Sequence, residues 1–404
     1  KRIEKCISMI SPEEALHIIL ERSKDFGTEE VSFLEAQNRV LKEDILADRD
    51  FPPFNRVSMD GIAINYNAFE KGVRNFPIEA IQAAGSAQLH LNDLDQCLEV
   101  MTGAVLPKNT DTVIRYEDVT INEGSATVNL ETVEKNQNVH EKGKDRKSND
   151  VLIRKNTLIS AAEIGILSTV GKSNVKVAKQ PNVVIISTGD ELVEIDKEPL
   201  AHQIRKSNVY TVISLLQKLN IQAKSDHLND NKAQLKKKIA NYLNTYDVLL
   251  FSGAVSKGKF DYLPEVLEEL GVQKIFHKVS QRPGKPFWYG QKDDVSVFAF
   301  PGNPVSTFVG CLKYFYPWYR KSVGIHYSNE GKAILGDDFK FTPELTYFLQ
   351  VKLDVNGGLK IAKPVVGNGS GDLANLVDVD GFLELPADKT HFMSGETYPL
   401  IRFR

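Results

Sequence analysis

The sequence predicts an α/β protein of several domains, with a central αβα domain built on a parallel-type sheet. Three short apolar runs each lead into a glycine-containing turn: VVIIS before Thr188, DVLLF before Ser252 and VSVFAF before Pro301. The segments between these runs have apolar residues at helical spacing, so strands and helices alternate. Because ligands bind at the carboxyl ends of parallel strands, we expect the three turns to face one crevice.

Helix boundaries follow from capping residues and apolar spacing. Ser11 opens a capping box before an amphipathic run, and a second apolar stripe follows Asn208. Asp261 is a plausible N-cap for a third helix, whereas Asn303 and Pro304 suit the cap and first-turn positions of a fourth. The free backbone N–H groups at such starts attract anions.

Two other regions are predicted to be rich in β-structure. Strand-like pieces alternate with Gly and Asn turns from Phe51 to Asp145, and alternation resumes after Gly324 with a hairpin-like Asn356-Gly357-Gly358. We therefore expect a discontinuous helical or mixed N-terminal scaffold domain (1–50 and 146–178), an inserted β-rich domain (51–145), the αβα domain (179–325) and a small C-terminal β-barrel-like domain (326–404).

The turns carry the residue types that phosphate or oxyanion chemistry needs. Asp190 and Glu191 directly follow the first apolar run, and the segment RPGKP places Arg282 and Lys285 around a Pro-Gly turn. Arginine offers a planar fork of donors, and lysine a compact charge. Taken alone, RPGKP is better explained as a solvated surface turn, but its position in the αβ series favours a ligand-binding role.

Six motifs in order give the chain a family resemblance over nearly all 404 residues. The chain resembles the molybdopterin molybdenumtransferases, the MoeA family that includes the E domain of gephyrin. The motifs are FPPFNRVSMDG, TGAVLP, STGDEL, SGAVSKGKFDY, RPGKP and PGNPVS.

The resemblance implies that the protein inserts molybdate into adenylylated molybdopterin, releasing AMP and yielding the molybdenum cofactor, with Mg²⁺ assisting. Such a site must hold a phosphate-rich pterin, a tetrahedral oxyanion and a divalent cation together. Alternatives are a molybdopterin adenylyltransferase, a dimeric scaffold that binds partner peptides, and a non-catalytic paralogue.

Site residues are carried over from the family motifs by resemblance. Asp190 and Asp261 match acidic active-site positions of the family, for which a catalytic role is expected. Both are expected near Mg²⁺ together with Glu191, because hard carboxylate oxygens suit this ion, although Asp261 has the competing role of helix cap. Contacts to the pterin and its phosphates are expected from Thr188, Gly189, Ser252, Gly253, Ser256, Gly302 and Asn303, and contacts to molybdate from Arg282, Lys285, Pro286, Ser306 and Ser370.

Asp60 and Asp145 match two further acidic positions of the family, for which a catalytic role is expected. Asp60 matches an aspartate that reaches the partner subunit's crevice, although its local sequence alone favours a turn residue before glycine. Two positions depart from the family pattern: Ala254 stands where a second glycine is usual, and Gln350 where an arginine is common. Lys352 could replace that arginine if the strand alternation is unbroken.

Composition narrows the class of protein. The formal charge is −3 and basic residues are scattered, which argues against nucleic acid as a main partner. The sequence shows no apolar run long enough for a membrane span and no signal peptide, and its three cysteines lack paired spacing. We therefore expect a cytoplasmic homodimer with an active site shared between subunits, a molybdopterin adenylyltransferase as upstream partner, and no membrane association.

Overall fold

A computed structural model of the chain describes residues 9–253, 255, 262–325 and 331–404. The chain divides into two compact units. The larger unit comprises Lys1–Lys42, Asn156–Ser160 and Asn174–Arg404, and the smaller unit comprises Glu43–Lys155 and Ala161–Ser173.

Helices and strands are numbered in chain order through both units. The helices are α1 (Pro12–Glu21), α2 (Tyr66–Glu70), α3 (Ala161–Thr169), α4 (Asn208–Gln217), α5 (Lys232–Thr245), α6 (Leu263–Glu269), α7 (Pro304–Gly310) and α8 (Tyr316–Ser322), with a π-helical segment, Cys311–Phe315, joining the last two. No helix in the described ranges is long and apolar enough to cross a membrane.

The strands are β1 (Thr28–Ser32), β2 (Ile45–Leu46), β3 (Arg56–Val57), β4 (Gly61–Ile64), β5 (Asn75–Gln82), β6 (Cys97–Val100), β7 (Thr112–Arg115), β8 (Val119–Asn122), β9 (Ser125–Val128), β10 (Val139–His140), β11 (Val151–Ile153), β12 (Asn174–Ala178), β13 (Val183–Thr188), β14 (Leu192–Val193), β15 (Ile204–Arg205), β16 (Lys224–Leu228), β17 (Val248–Ser252), β18 (Gln273–His277), β19 (Gln281–Arg282), β20 (Trp288–Lys292), β21 (Val295–Phe300), β22 (Lys332–Leu335), β23 (Phe339–Lys340), β24 (Thr346–Asn356), β25 (Leu359–Pro364), β26 (Gly381–Leu385), β27 (His391–Phe392) and β28 (Thr397–Arg402).

The central sheet of the larger unit has the order β16-β13-β17-β21-β20-β18. The first four of these strands are parallel, which confirms the predicted series, but β20 and β18 run antiparallel to their neighbours. The antiparallel step at β20 and β21 arises because only Asp293 and Asp294 connect these strands, and Asp293 has a left-handed φ of 49°. A connection this short permits only a hairpin.

Helices cover both faces of this sheet, as the αβα prediction required. Alternate residues of β13 point to opposite cores: Val183 and Ile185 pack with α1, α4, α7 and α8, whereas Val184 and Ile186 pack with α5 and α6. All six residues of β13 are buried. Burial on both faces explains why its sequence reads as a continuous apolar run.

The predicted helix starts are largely confirmed. The side chain of Ser11 accepts a hydrogen bond from the backbone N–H of Glu14 at 3.0 Å, which caps α1. Helix α7 begins at Pro304 with Asn303 in the cap position, but the Asn303 side chain makes no capping bond. Tyr262 occupies the cap position of α6, and Asp261, the predicted cap, lies outside the described residues.

A small closed barrel forms the C-terminal part of the larger unit. Strands β24, β25, β22, β28 and β26 pair in succession, and β26 pairs back to β24, which closes the ring. The predicted hairpin is present, because Gly357 and Gly358 connect β24 to β25 with φ values of 58° and 81°. Two consecutive left-handed residues are what a two-residue hairpin turn of the right twist requires.

The smaller unit is organised around a six-stranded sheet of order β7-β4-β6-β5-β9-β8. Only β5 and β6 are parallel, and the other pairs are antiparallel, in agreement with the predicted β-rich region. Gly61 lies in β4 where a Cβ atom would collide with the carbonyl of Ile114 on β7. Glycine is therefore required at this position by close backbone approach.

The aromatic cluster under the central sheet gives a test of the larger unit's stability. Phe298 is fully buried and contacts the rings of Phe287, Phe315 and Trp318. We expect Phe298→Ala to lower the free energy of unfolding by about 3–5 kcal/mol, because it removes a buried ring and leaves a cavity.

Urea unfolding followed by tryptophan fluorescence measures this change selectively, since Trp288 and Trp318 are the chain's two tryptophans and both belong to this unit. Leu200→Ala is the control, because Leu200 is 61% exposed and its truncation should stay within about 0.5 kcal/mol. Equal effects of the two substitutions would contradict the assigned core.

Candidate active site

The three predicted turns meet at the carboxyl edge of the central sheet. They surround a cavity of about 650 Å³, called here the strand-end cavity. Its lining includes six of the seven residues predicted to contact the pterin and its phosphates; the seventh, Ser256, lies outside the described residues, as does Ala254. The six are Thr188, Gly189, Ser252, Gly253, Gly302 and Asn303.

Two glycines shape the floor of the strand-end cavity. Gly189 and Gly253 have φ values of 125° and 116°, in the region that favours glycine, whereas Gly302 does not. A Cβ atom on Gly253 would lie 2.6 Å from Thr188 Oγ1. The backbone conformation therefore favours glycine at two of the three glycines that were predicted to contact the pterin and its phosphates.

Asn208 ties two of the turns together, a role that the sequence did not indicate beyond its helix start. Its Nδ2 donates to Ser252 Oγ at 2.8 Å and to the carbonyl of Gly302 at 2.6 Å. Thr307 reinforces the same junction, with its Oγ1 3.2 Å from Ser252 Oγ and 2.7 Å from the carbonyl of Pro301. These bonds hold the ends of β17 and β21 in a defined geometry.

Thr188 presents a hydrogen-bonding position to the strand-end cavity. Its Oγ1 is buried and has no hydrogen-bond partner in the part of the chain that the structure describes. A buried polar atom without a partner is rare and costly in folded proteins. Because Thr188 lines the cavity, a bound ligand would satisfy this hydroxyl.

The three carboxylates predicted to lie near Mg²⁺ do not form one set of metal ligands among the described residues. Glu191 lines the strand-end cavity with its carboxylate turned against Gly189, and Asp190 Oδ1 accepts from the backbone N–H of Asp230 at 3.2 Å. Asp261 lies outside the described residues. Among residues 9–253, 255, 262–325 and 331–404, no three metal-ligating side chains converge.

Sequence reasoning did not identify two cations that line this cavity or a histidine that lies behind it. Arg205 and Lys206 line the strand-end cavity, and Lys206 forms an ion pair with Glu194. His227 Nδ1 lies 2.9 Å from Ser187 Oγ, and burial, followed by the nearby charge of Lys206, lowers the pKa of His227. The signal available in the sequence was the adjacent basic pair Arg205 and Lys206, which Ser207 separates from the start of α4.

A second cavity, called here the oxyanion cavity, adjoins the first. It has a volume of about 480 Å³ and shares Pro286, Pro301 and Asn303 with the strand-end cavity. All five residues predicted to contact molybdate line it: Arg282, Lys285, Pro286, Ser306 and Ser370. Neither Arg282 nor Lys285 has a carboxylate partner among the described residues, so their charges are available to an anion.

The barrel supplies the opposite wall of the oxyanion cavity. Strand β19, which contains Arg282, pairs with β24 of the barrel, so that Gln281 lies opposite Thr346. The buried side chain of Gln281 braces the turn by donating to the carbonyl of Pro283 at 3.0 Å and accepting from Tyr314. Sequence reasoning did not identify Gln281, because nothing in the local pattern marks it.

Gln350 and Lys352 both lie on β24, but their surroundings differ. Gln350 lines the oxyanion cavity. Lys352, suggested as a substitute for the family arginine, instead pairs with Asp380, its Nζ 3.2 Å from Oδ1, and is not among the residues lining the cavity. The strand alternation is intact, but the nearby carboxylate holds the lysine elsewhere.

Asp60 and Asp145 belong to the smaller unit. Asp60 Oδ1 accepts from the backbone N–H of Thr102 at 2.6 Å, and this bond lowers the pKa of the Asp60 carboxyl. Asp145 Oδ1 lies 2.9 Å from His140 Nε2. Both carboxylates are thus held in position by neighbours within their own unit.

Comparisons with known proteins agree with this architecture. The MoeA N-terminal region (domains I and II) matches residues 10–171, the probable molybdopterin binding domain matches residues 184–321, and the MoeA C-terminal region (domain IV) matches residues 332–403. The molybdopterin molybdenumtransferase of Synechocystis is 40% identical over 97% of this chain and 99% of its own length.

Two further relatives support the same assignment. The molybdopterin molybdenumtransferase of Staphylococcus epidermidis is 29% identical over 97% of this chain and 95% of its own length. The solved structure of the molybdopterin biosynthesis MoeA protein from Pyrococcus horikoshii is 28% identical, with a TM-score of 0.83 over 98% of this chain and all of its own. The chain therefore belongs to the MoeA family of molybdopterin molybdenumtransferases.

Proposed function

We propose that this protein inserts molybdate into adenylylated molybdopterin, with release of AMP, in the synthesis of the molybdenum cofactor. The observation that carries the proposal is the pair of adjoining cavities with a common wall. One offers glycine turns and hydroxyls suited to a phosphate-bearing ligand, and the other offers two cations suited to an oxyanion. Family membership supports the same reaction.

Each of the two cavities binds a different reactant. In the strand-end cavity, Gly189 and Gly253 admit close approach of the substrate's phosphates, and the free hydroxyl of Thr188 offers a hydrogen bond. In the oxyanion cavity, Arg282 and Lys285 hold the molybdate. Fixing both reactants across the shared wall at Asn303 turns their encounter into a step within one complex, which is a large source of rate enhancement.

Mg²⁺ is proposed as a cofactor held jointly by protein and substrate. This ion is commonly bound by one or two carboxylates together with substrate phosphates and waters, so a full set of protein ligands is not needed. Asp190 and Glu191, beside the strand-end cavity, are suited to this role. When bound, the ion would neutralise charge on the substrate's phosphates.

We further propose a homodimer in the cytoplasm, supplied with substrate by a molybdopterin adenylyltransferase. In this arrangement Asp60 of one subunit completes the crevice of the other. The bond from the backbone N–H of Thr102 orients the Asp60 carboxylate, which supports this role. Cys97 and Cys311 are free, buried thiols, as is usual in a reducing compartment.

Release of AMP tests the reaction directly. With Mg²⁺ and adenylylated molybdopterin, we expect molybdate-dependent release by the wild type and a loss of roughly a hundredfold or more in Asp190→Ala and Lys285→Ala, since the first removes a carboxylate proposed to hold Mg²⁺ and the second a cation proposed to hold molybdate. Lys237→Ala, an exposed change on α5, serves as the matched control and should retain activity. A folded wild type that binds the pterin without releasing AMP would favour a scaffold instead.

Mixing subunits tests whether the site is shared. Asp60→Ala and Lys285→Ala are each expected to be inactive, but a mixed dimer restores one intact site, so random mixing should recover about a quarter of wild-type activity. AMP release after exchange of subunits measures this, with size-exclusion chromatography as the control for dimer formation. If verified mixed dimers show no recovery, one of two conclusions follows. Either Asp60 and Lys285 act in the site of the same subunit, or Asp60 is not part of the site.

A further inference from the structure

The π-helical segment Cys311–Phe315, called here the π segment, contains Lys313, the one charged residue that is buried in the part of the chain that the structure describes. A buried ammonium group is costly unless it is paired. Lys313 Nζ lies 2.6 Å from Oε2 of Glu384, which belongs to β26 of the barrel. This ion pair therefore joins the helical core of the larger unit to its barrel.

A proline explains why the helix widens at this point. Pro317, at the start of α8, has no N–H that could donate to the carbonyl of Lys313 four residues earlier, and its ring would clash with that carbonyl in a regular α-helix. The extra residue in the π-helical turn accommodates the proline and changes the directions in which the neighbouring side chains leave the helix. Such turns occur frequently at functional sites.

Glu384 connects Lys313 to the barrel wall of the oxyanion cavity. Strands β24 and β26 pair antiparallel with Phe348 opposite Glu384, so these two side chains lie side by side on one face of the sheet. Lys313 Nζ also lies 5.9 Å from the centre of the Phe348 ring, within the range of a cation–π contact. Phe348 is buried and lines the cavity. The ion pair thus holds the strand that forms this wall.

The sheet face that meets the π segment is otherwise mainly apolar. Phe348 and Phe382 pack in the helical core, whereas Leu349 and Leu383, the next residues along the same strands, pack inside the barrel. Apolar burial has no preferred direction and tolerates small sliding movements. A buried ion pair tolerates less movement, because its geometry determines whether two desolvated charges are satisfied. The pair therefore specifies one position of the barrel strand on the helices.

The next residue of the π segment holds the opposite wall of the oxyanion cavity. Tyr314 is fully buried, and its hydroxyl donates to Oε1 of Gln281. Gln281 Nε2 in turn donates to the carbonyl of Pro283, at 3.0 Å, within the RPGKP turn. Two consecutive residues of one helical turn, Lys313 and Tyr314, are thus connected to the two walls.

We propose that the π segment sets the separation of the two walls of the oxyanion cavity, with Lys313 and Glu384 as positioning residues for molybdate. Neither side chain is among those that line the cavity, so their effect reaches the anion through Phe348 and β24. This inference rests on the proposed function, since it deepens how the same site is held. The strand-end cavity does not depend on this pair, because Asn208 and Thr307 hold its turns.

Replacing the ion pair with apolar side chains separates position from stability. Lys313→Met or Glu384→Leu alone leaves a buried charge without its partner, and each should lower the midpoint of thermal unfolding. The double variant Lys313→Met/Glu384→Leu removes both charges, so its midpoint should return close to that of the wild type. We expect this double variant still to bind molybdate about tenfold more weakly, because the apolar pair no longer specifies the position of β24.

Isothermal titration calorimetry on the purified full-length protein, with molybdate alone as the probe, measures this affinity. The reversed pair Lys313→Glu/Glu384→Lys places an ion pair at the same contact, and it should return the affinity to within about twofold of wild type. In the AMP-release assay, the KM for adenylylated molybdopterin should change by no more than about twofold in both double variants. A general loss of folding would not affect the two reactants so differently.

Lys236→Met/Glu269→Leu is the matched control, because it removes an exposed ion pair of 2.7 Å between α5 and α6 of the same unit. Its molybdate affinity should equal that of the wild type.

Unchanged molybdate affinity in Lys313→Met/Glu384→Leu, or no recovery in a folded reversed pair, would overturn this inference and leave the proposed function intact. A wild type that binds no molybdate would overturn the inference as well. A wild type that binds molybdate and the pterin without releasing AMP would instead overturn the proposed function, and the molybdate affinities of the variants would still decide the inference.

Discussion

Parallel pairing of three buried strands is the constraint on which the rest of the site depends. The register aligns Ser187 on β13 with Ser252 on β17, and Ser252 with Phe300 on β21. All three strands consequently end at the same level, and the turns that follow them meet. The buried apolar side chains on both faces stabilise this register, because a shift by one residue would exchange the residues facing the two cores.

The oxyanion cavity depends on a second pairing, between β19 and β24. This parallel contact joins the RPGKP turn to the barrel, and the bond from Asn303 to Ser370 joins the start of α7 to the loop after β25. Asn303 contributes to both cavities, and its side chain bonds across to Ser370 instead of capping its own helix. The geometry of the oxyanion cavity therefore depends on packing between several segments of the larger unit and not on any one loop.

The chemistry of the site combines charges with neutral donors. Arg282 and Lys285 supply attraction over distance, whereas the amide of Gln350 supplies direction without adding charge. Gln350 lines the oxyanion cavity, and its Oε1 accepts a hydrogen bond of 3.0 Å from Asn375 Nδ2.

Local patterns determined much of the molecule. The apolar runs, the Ser11 cap, the Pro304 helix start and the Gly357-Gly358 hairpin are short-range features, so the sequence predicted them without knowledge of the fold. The same is true of the strand-end glycines and of Arg282 and Lys285, whose chemistry is visible in their motifs. The antiparallel addition of β20 and β18 was not predicted, since pairing direction depends on connections that the apolar pattern does not encode.

Tertiary structure alone decided the roles of several polar side chains. Asn208, Gln281 and Asn375 act through partners far away in the chain, at separations that no local pattern reveals. The side chain of Lys352 is likewise held by an ion pair with Asp380, which lies on a different segment of the chain. Hydrogen bonds and ion pairs between distant segments form only once the strands have packed, which is why local sequence patterns did not reveal these contacts.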